Sequence, residues 1–166
     1  MRRVENATMI TETDRQHLQR CVELAEEALA AGDEPFGSVL VSGDGAVLVE
    51  DHNHVAGGDA TQHPEFFLAR WAAENLTPED RARATVYTSG EHCPMCAAAH
   101  GWVGLGRIVY ASSSEQLVDW LEELGVAPPR VRPLPIREVV PDAVVEGPVP
   151  EFADRIRELH RRLHGA

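Results

Sequence analysis

The sequence has no long apolar run. Nothing in its 166 residues approaches the roughly 18 consecutive apolar positions that a membrane-spanning helix needs. The basic opening, Met1–Arg3, is not followed by an apolar stretch, so it does not read as a secretory signal, and the chain is expected to be cytoplasmic. Cysteine is scarce: three residues cannot build a disulfide framework. Positive charge is in deficit as well. With 15 Lys and Arg against 27 Asp and Glu, the formal charge is −12. Such a balance repels phosphate backbones and argues against long nucleic acid as a partner. The basic residues cluster once, at Arg155, Arg157, Arg161 and Arg162, where they complement the dipole at the end of a predicted helix. Repeats and low-complexity segments are lacking too. What is present, 43% apolar residues in a chain of this length, suits one domain over residues 1–166 with a single sizeable core.

Apolar periodicity places the elements. Residues 13–31 read as an amphipathic helix, with Leu18, Cys21, Val22, Ala25, Ala28 and Leu29 on one face and Gly32 ending it. Cys21 belongs to that face and reads as core. Two short β-prone runs, Ser38–Ser42 and Ala46–Glu50, flank Gly43-Asp44-Gly45 and predict a hairpin. After a loop from Asp51 to Gln62, His63–Leu76 reads as a helix with Pro64 in its first turn, where the missing N–H costs little. Ala84–Ser89 reads as a strand, Cys93–Val103 as a helix and Arg107–Ala111 as a strand. Ser112 and Glu115 have the spacing of a capping box for a helix ending at Gly125. Residues 126–150 hold seven of the 11 prolines and read as an extended connection, with an edge strand at Ile136–Val140. A last helix covers Pro150–Leu163, with Phe152, Ile156, Leu159 and Leu163 on one side. Helices and strands alternate along the chain, which predicts an α/β protein with one sheet covered by helices.

The chemistry concentrates at two short stretches. Cys93 and Cys96 follow a predicted strand and open a predicted helix. The positive end of that helix favours thiolates, and the CxxC spacing lets both sulfurs face one ion. Zinc takes about four ligands. No second cysteine pair exists, so histidine must supply at least one of the others. Of eight histidines, His17, His160 and His164 sit at polar positions on terminal helices, and His52 and His54 flank Asn53 in a loop. His100, in the helix after the CxxC, packs or lines a pocket. His63 stands apart because Glu65 follows two residues later, at the start of the same helix. The imidazole can bind the ion while the carboxylate reaches its water. Three protein ligands then leave one position open, as catalytic zinc sites do. Zinc lowers the pKa of the water, and a nearby carboxylate moves its proton.

His63-Pro64-Glu65 followed by Cys93-Pro94-Met95-Cys96 resembles the H-x-E and P-C-x-x-C signature of zinc deaminases. The likeness extends to Pro35-Phe36-Gly37-Ser38-Val39, Asn53, Asp59-Ala60-Thr61-Gln62 and Tyr87-Thr88-Ser89-Gly90-Glu91, over roughly residues 13–112. Together these stretches resemble the cytidine deaminase superfamily, in particular the branch of bacterial guanine deaminases and tRNA adenosine deaminases. The resemblance implies a three-layer α/β/α fold with a mixed sheet of about five strands. It also implies one Zn²⁺ held by His63, Cys93 and Cys96, with Glu65 as catalytic proton shuttle. Asn53 is then substrate-binding, Phe36 lies beside the pocket, and Phe36 and Trp102 are candidate pocket walls. Trp102, at helical spacing, also reads as core. The implied substrate is a small nucleobase or nucleoside, guanine or a related aminopurine before cytosine or a triazine analogue, and the implied assembly is a homodimer.

The chain departs from the family pattern in places. Pro64 stands where the family usually has Ala, and His92 where it usually has Pro, so that His92 either touches substrate or faces solvent. The loop from Asn53 to His63 is one residue shorter than the common form. Guanine deaminases of the branch close the site with an aromatic tail, whereas the tyrosines here are Tyr87 and Tyr110 and the tail offers only Phe152. Two other readings fit part of the pattern. One is a dithiol oxidoreductase using Cys93 and Cys96, since a strand, Cys-Pro-x-Cys and a helix also describe glutaredoxins. The other is a non-enzymatic structural zinc module closed by a fourth ligand such as His92.

Overall fold

A computed structural model describes residues 10–165; Met1–Arg3, read above for a leader, lie outside the described residues. The elements run α1 (Glu12–Ala30), β1 (Gly37–Val41), β2 (Val47–His52), a 3₁₀ turn (Val55–Gly57), α2 (Pro64–Asn75), α3 (Pro78–Arg83), β3 (Thr85–Gly90), α4 (Pro94–Val103), β4 (Ile108–Ser112), α5 (Ser114–Glu123), α6 (Ile136–Val139), β5 (Val145–Glu146) and α7 (Pro150–Leu163). The five strands form one sheet in the order β2-β1-β3-β4-β5. β1 is antiparallel to both β2 and β3, while β4 is parallel to β3 and to β5. The sheet is therefore mixed, and α4 makes the crossover that two neighbouring parallel strands require.

Alternation along the strands sorts the core into two layers. Val39, Val41, Tyr87, Val109 and Ala111 face α1, α5 and α7, where they meet Leu18, Val22, Trp120, Phe152 and Ile156. Leu40, Val86, Ile108 and Tyr110 face the opposite way, onto Leu68 and Ala72 of α2, Ala97 of α4 and Ile136 of α6. The result is a three-layer α/β/α fold, as expected. All residues of β1 and β4 are buried, which is the signature of strands covered on both faces. Gly37 shows how closely α1 lies on β1: a Cβ there would sit 2.4 Å from Leu24 Cβ and 2.6 Å from the Cys21 carbonyl oxygen. Cys21 is core, fully buried. No helix among the described residues is long and apolar enough to cross a membrane.

Local signals placed most boundaries, and three expectations need correction. The capping box of α5 is Ser113 with Gln116, not Ser112 with Glu115. Ser112 instead ends β4 and donates its hydroxyl to the Ser89 carbonyl at 2.8 Å. The edge strand expected at Ile136–Val140 is the short helix α6. Its first N–H is captured by Glu91 Oε2 at 2.7 Å, a long-range contact that local propensity does not contain. The edge is taken by Val145–Glu146. Trp102 is not core, since it is 89% exposed.

Beneath α1, a charged group closes that layer. Thr11 and Asp14 form a capping box. The Asp14 carboxylate also accepts the Tyr87 hydroxyl at 2.6 Å and two guanidinium N–H groups of Arg107, each at 2.9 Å. Arg107 reaches Glu146 on β5 as well. Burial pushes the Asp14 carboxyl up, but the bonds from Arg107 and Tyr87 outweigh it and hold the group well below the usual carboxylate range.

Candidate active site

Two helix starts meet at one end of the sheet. His63 is the N-cap of α2 and Cys93 the N-cap of α4, and each is followed by a proline in the first turn. Proline fits there because its missing N–H would have no intrahelical partner and its φ is already helical. Neither N-cap side chain makes a capping hydrogen bond, so both are free to turn towards a common point. His63 Nδ1 lies 3.5 Å from Cys93 Sγ and 3.6 Å from Cys96 Sγ, and the two sulfurs are 3.5 Å apart. A tetrahedral ion with bonds of about 2.3 Å to sulfur and 2.0 Å to nitrogen would space its ligand atoms about 3.5–3.8 Å apart. The donor set and its spacing therefore fit zinc, with the Nδ1 face of the imidazole presented.

Three donors this close hydrogen-bond to one another, and their titration reflects it. Hydrogen bonding to Cys93 raises the His63 imidazole to about 9 against the effect of burial. The Cys93 thiol is lowered to about 4, first by its bond with Cys96 and then by His63, against burial. The bond with Cys93 and burial together push Cys96 up.

Glu65 follows in the first turn of α2 and is 6% exposed. Its Oε1 lies 3.0 Å from Ser38 Oγ and 2.9 Å from Thr88 Oγ1. Both hydroxyls can donate to that oxygen, and neither bond involves Oε2. Ser38 and Thr88 face each other in the register of β1 and β3. They stand at the same parity as Leu40 and Val86, on the α2 side of the sheet. Burial raises the Glu65 carboxyl, while the His63 charge and the two hydroxyls pull it back. Sequence reasoning quoted Ser38 and Thr88 without giving them a role. Their signal is a small hydroxyl inside an otherwise apolar strand, at a position a carboxylate can reach.

Asn53 follows β2 and is 1% exposed. Its Oδ1 accepts the backbone N–H of Glu34 at 3.3 Å and of Val55 at 3.0 Å. Its buried Nδ2 has no hydrogen-bond partner among the described residues. A buried amide with two spare donor protons is costly unless something else accepts them. Phe36, half-buried, is wedged between Gly90 and His160, with the His160 ring centroid 5.2 Å away. His160, read from sequence as a polar surface position, is thus buried. His92 does not face solvent: it is 1% exposed and lies edge-on to His100 at 5.3 Å. His100 packs, with Nε2 donating to the Gly106 carbonyl at 2.9 Å. Burial pushes both imidazoles down, towards the neutral form.

A cleft of about 730 Å³ lies away from this site, between α1 and α7. Its walls are mainly polar and charged side chains, of which Arg15 and Glu151 pair with each other. Convergent donors, rather than the size of a depression, locate the chemistry.

Residues 11–112 match the model of the cytidine and deoxycytidylate deaminase zinc-binding region. The chain belongs to this family of zinc-dependent hydrolases acting on C–N bonds. It is 32% identical over 124 residues to a probable cytosine deaminase of Schizosaccharomyces pombe, covering 75% of each chain. It is 39% identical over 97 residues to the guanine deaminase of Bacillus subtilis and 31% identical over 111 residues to the tRNA-specific adenosine deaminase of Haemophilus influenzae. Those two matches span 57% and 66% of this chain, and 62% and 64% of the relatives. Among solved structures, a guanine deaminase from Nitrosomonas europaea superposes with a TM-score of 0.67 at 20% identity, covering 95% of this chain and 87% of that one. A structure from studies of tRNA:A34 deaminases gives 0.62 at 24%, covering 87% and 99%. The family model and the curated relatives give the class of reaction, and the solved structures give the fold. The named relatives act on different bases.

Proposed function

We propose that the protein is a hydrolytic deaminase of a small, free aminated heterocycle: guanine or a related aminopurine first, with cytosine, a triazine analogue or a nucleoside as the second reading. The observation that carries the proposal is the buried Glu65 carboxylate, anchored by Ser38 and Thr88 through one oxygen and set two residues from His63. His63, Cys93 and Cys96 hold the zinc. When bound, zinc lowers the pKa of a coordinated water and so supplies a nucleophile near neutral pH. Glu65 accepts a proton from the attacking water and passes it to the ring nitrogen as oxygen adds to the carbon bearing the amine; it then takes the remaining proton from the new hydroxyl and gives it to the amino group as the C–N bond breaks. Water and the aminated ring are consumed, and the oxo ring and ammonia are released. Asn53 Nδ2 donates to an acceptor on the ring, with its own oxygen fixed by two backbone N–H groups. Phe36 forms one wall, held from behind by His160.

Electrostatics favour a free base over one within RNA. Of the basic cluster on α7, Arg155 pairs with Glu26, Arg157 with Glu123 and Arg161 with Glu158, which leaves little positive field for phosphates. Cytosine stands as the second reading because the relative matched over 75% of its length is named a probable cytosine deaminase. Neither remaining sequence reading draws support. The two sulfurs share His63 rather than standing as an isolated dithiol, and His92 is buried against His100 and is not one of the grouped donors. We further propose a cytoplasmic homodimer. Trp102 on α4 and Phe67 on α2, 89% and 43% exposed, lie on helices of the same layer, and exposed apolar surface of this kind is suited to self-association.

The test is ammonia release measured over free bases, nucleosides and tRNA anticodon stem-loops in one low-salt buffer. Turnover on a free base is expected. Activity confined to the RNA and falling steeply with added salt, as phosphate contacts require, would overturn the proposal. Sedimentation at micromolar concentration tests the dimer, and Trp102→Glu is expected to shift it towards monomer.

A further inference from the structure

A second group of metal-type donors lies beside Asn53, and the proposed reaction makes no use of it. Asp33, from the connection after α1, meets His52 at the end of β2 and His54 just beyond. One coordinating atom from each lies within 4.8 Å of the other two. The two imidazole centroids are 4.4 Å apart, with planes tilted by 33°.

Hydrogen bonding fixes where the protons are. His52 Nδ1 lies 2.8 Å from the Asn53 carbonyl oxygen. A carbonyl can only accept, so Nδ1 carries the proton and Nε2 keeps its lone pair. His54 Nε2 lies 2.9 Å from Asp51 Oδ1. The carboxylate accepts in the same way, which leaves His54 Nδ1 with a lone pair. Asp33 Oδ1 accepts the Ala56 N–H at 2.9 Å, leaving Oδ2 free. Each member of the group is therefore oriented by a second contact, and each retains one unshared donor. Imidazoles tied through their other nitrogen to a carbonyl or carboxylate are the arrangement that orients metal ligands in proteins. Two nitrogens and one carboxylate oxygen, without sulfur, suit a divalent transition ion.

We propose that Asp33, His52 and His54 form a second divalent transition-metal site, distinct from the thiolate site, with Asp51 positioning His54. The site would tie the α1–β1 connection to the end of β2. Asn53 lies between the two histidines in sequence, and the Glu34 N–H that holds Asn53 Oδ1 belongs to the residue after Asp33. An ion there would brace both sides of the Asn53 amide.

Cobalt(II) titrated into the protein already loaded with one zinc tests this without reference to turnover. The expected result is a further equivalent, bound in the micromolar range or tighter. It should show ligand-field absorption but no thiolate-to-cobalt charge-transfer band. His54→Ala, at a half-exposed side chain, should lose that equivalent and keep the first. Asp51→Asn should weaken it by about 10–100-fold, as loss of an outer-shell partner does. Three results would overturn the proposal: saturation with no further equivalent, a further equivalent that survives His54→Ala unchanged, or a charge-transfer band growing with the added cobalt.

Discussion

The two faces of the sheet are built to different rules. On the side of α1, α5 and α7 the buried surface is mostly apolar, and its charged group, Asp14 with Arg107 and Glu146, has every carboxylate answered by guanidinium. On the side of α2 and α4 the core is interrupted by Ser38, Glu65, Thr88, His92 and His100, all buried. A packed layer made only for stability would not hold so many polar groups, because each is costly unless paired. The second face gives up packing for chemistry, and the first supplies the stability that makes this tolerable. His160 is the point of contact between the two: it lies in the apolar layer yet supports Phe36.

Changes on the two faces should therefore separate function from stability. The largest functional effect is expected from Cys96→Ser. Metal analysis should show zinc retention collapsing and turnover falling below detection; a variant that keeps a full equivalent of zinc would remove Cys96 from the donor set. Next comes Glu65→Gln, which keeps the shape of the side chain but carries no proton. Zinc content should be unchanged while kcat drops by about 10²–10⁴-fold, and a loss of less than tenfold would rule out the proton-shuttle role.

On the other face the readout is unfolding. Asp14→Asn should cost about 3 kcal/mol in denaturant melts, the low end for a broken buried ion pair because Glu146 still holds Arg107. Since the Asp14 pKa is depressed in the fold, its contribution is complete above the ordinary carboxylate pKa and is lost as pH falls below it. A variant as stable as the parent at neutral pH would show that the pair is not stabilising.

His160 should give the smallest effect at neutral pH and a clear one in acid. Burial, then the His164 charge, lowers its imidazole to about 4, whereas in the unfolded chain it titrates near about 6.5. Unfolding thus takes up a proton between those values. The stability due to a neutral His160 is complete above the upper value and declines as pH falls towards the lower, by about 3 kcal/mol in all. His160→Phe should flatten the pH dependence of stability in that window by one proton. An unchanged slope would mean that His160 is already charged in the fold.

The sequence made one half of the molecule more legible than the other, for physical reasons. Hairpin, helices and donor stretches between residues 11 and 112 could be read because each is a local signal: Pro64 and Pro94 sit at helix starts, Gly32 at a helix end, and apolar residues keep a regular period. His63, Cys93 and Cys96 converge as expected. Several errors fell where a distant partner decides. Ile136–Val140 has the composition of a strand, but Glu91 captures its first N–H and turns it into a helix start. The short α3, capped by Thr77, has too little apolar period to register. His92 and His160 look like surface histidines until two layers close over them. Trp102 shows the reverse: apolar spacing on α4 cannot tell a buried position from one left for another surface.

Glu91 bridges the starts of two later helices. One of its oxygens accepts the N–H and hydroxyl of Ser114 at the start of α5, and the other accepts the N–H of Ile136 at the start of α6. It stands two residues before Cys93. The part of the chain with no recognisable motif is thereby bolted to the turn that presents the sulfurs. Transplanting a foreign C-terminal third onto this scaffold, or trimming the chain after Gly125, would strip that carboxylate of a partner and loosen the turn. Any chimaera would have to carry over a main-chain donor at the position of Ile136, whatever side chain it brings.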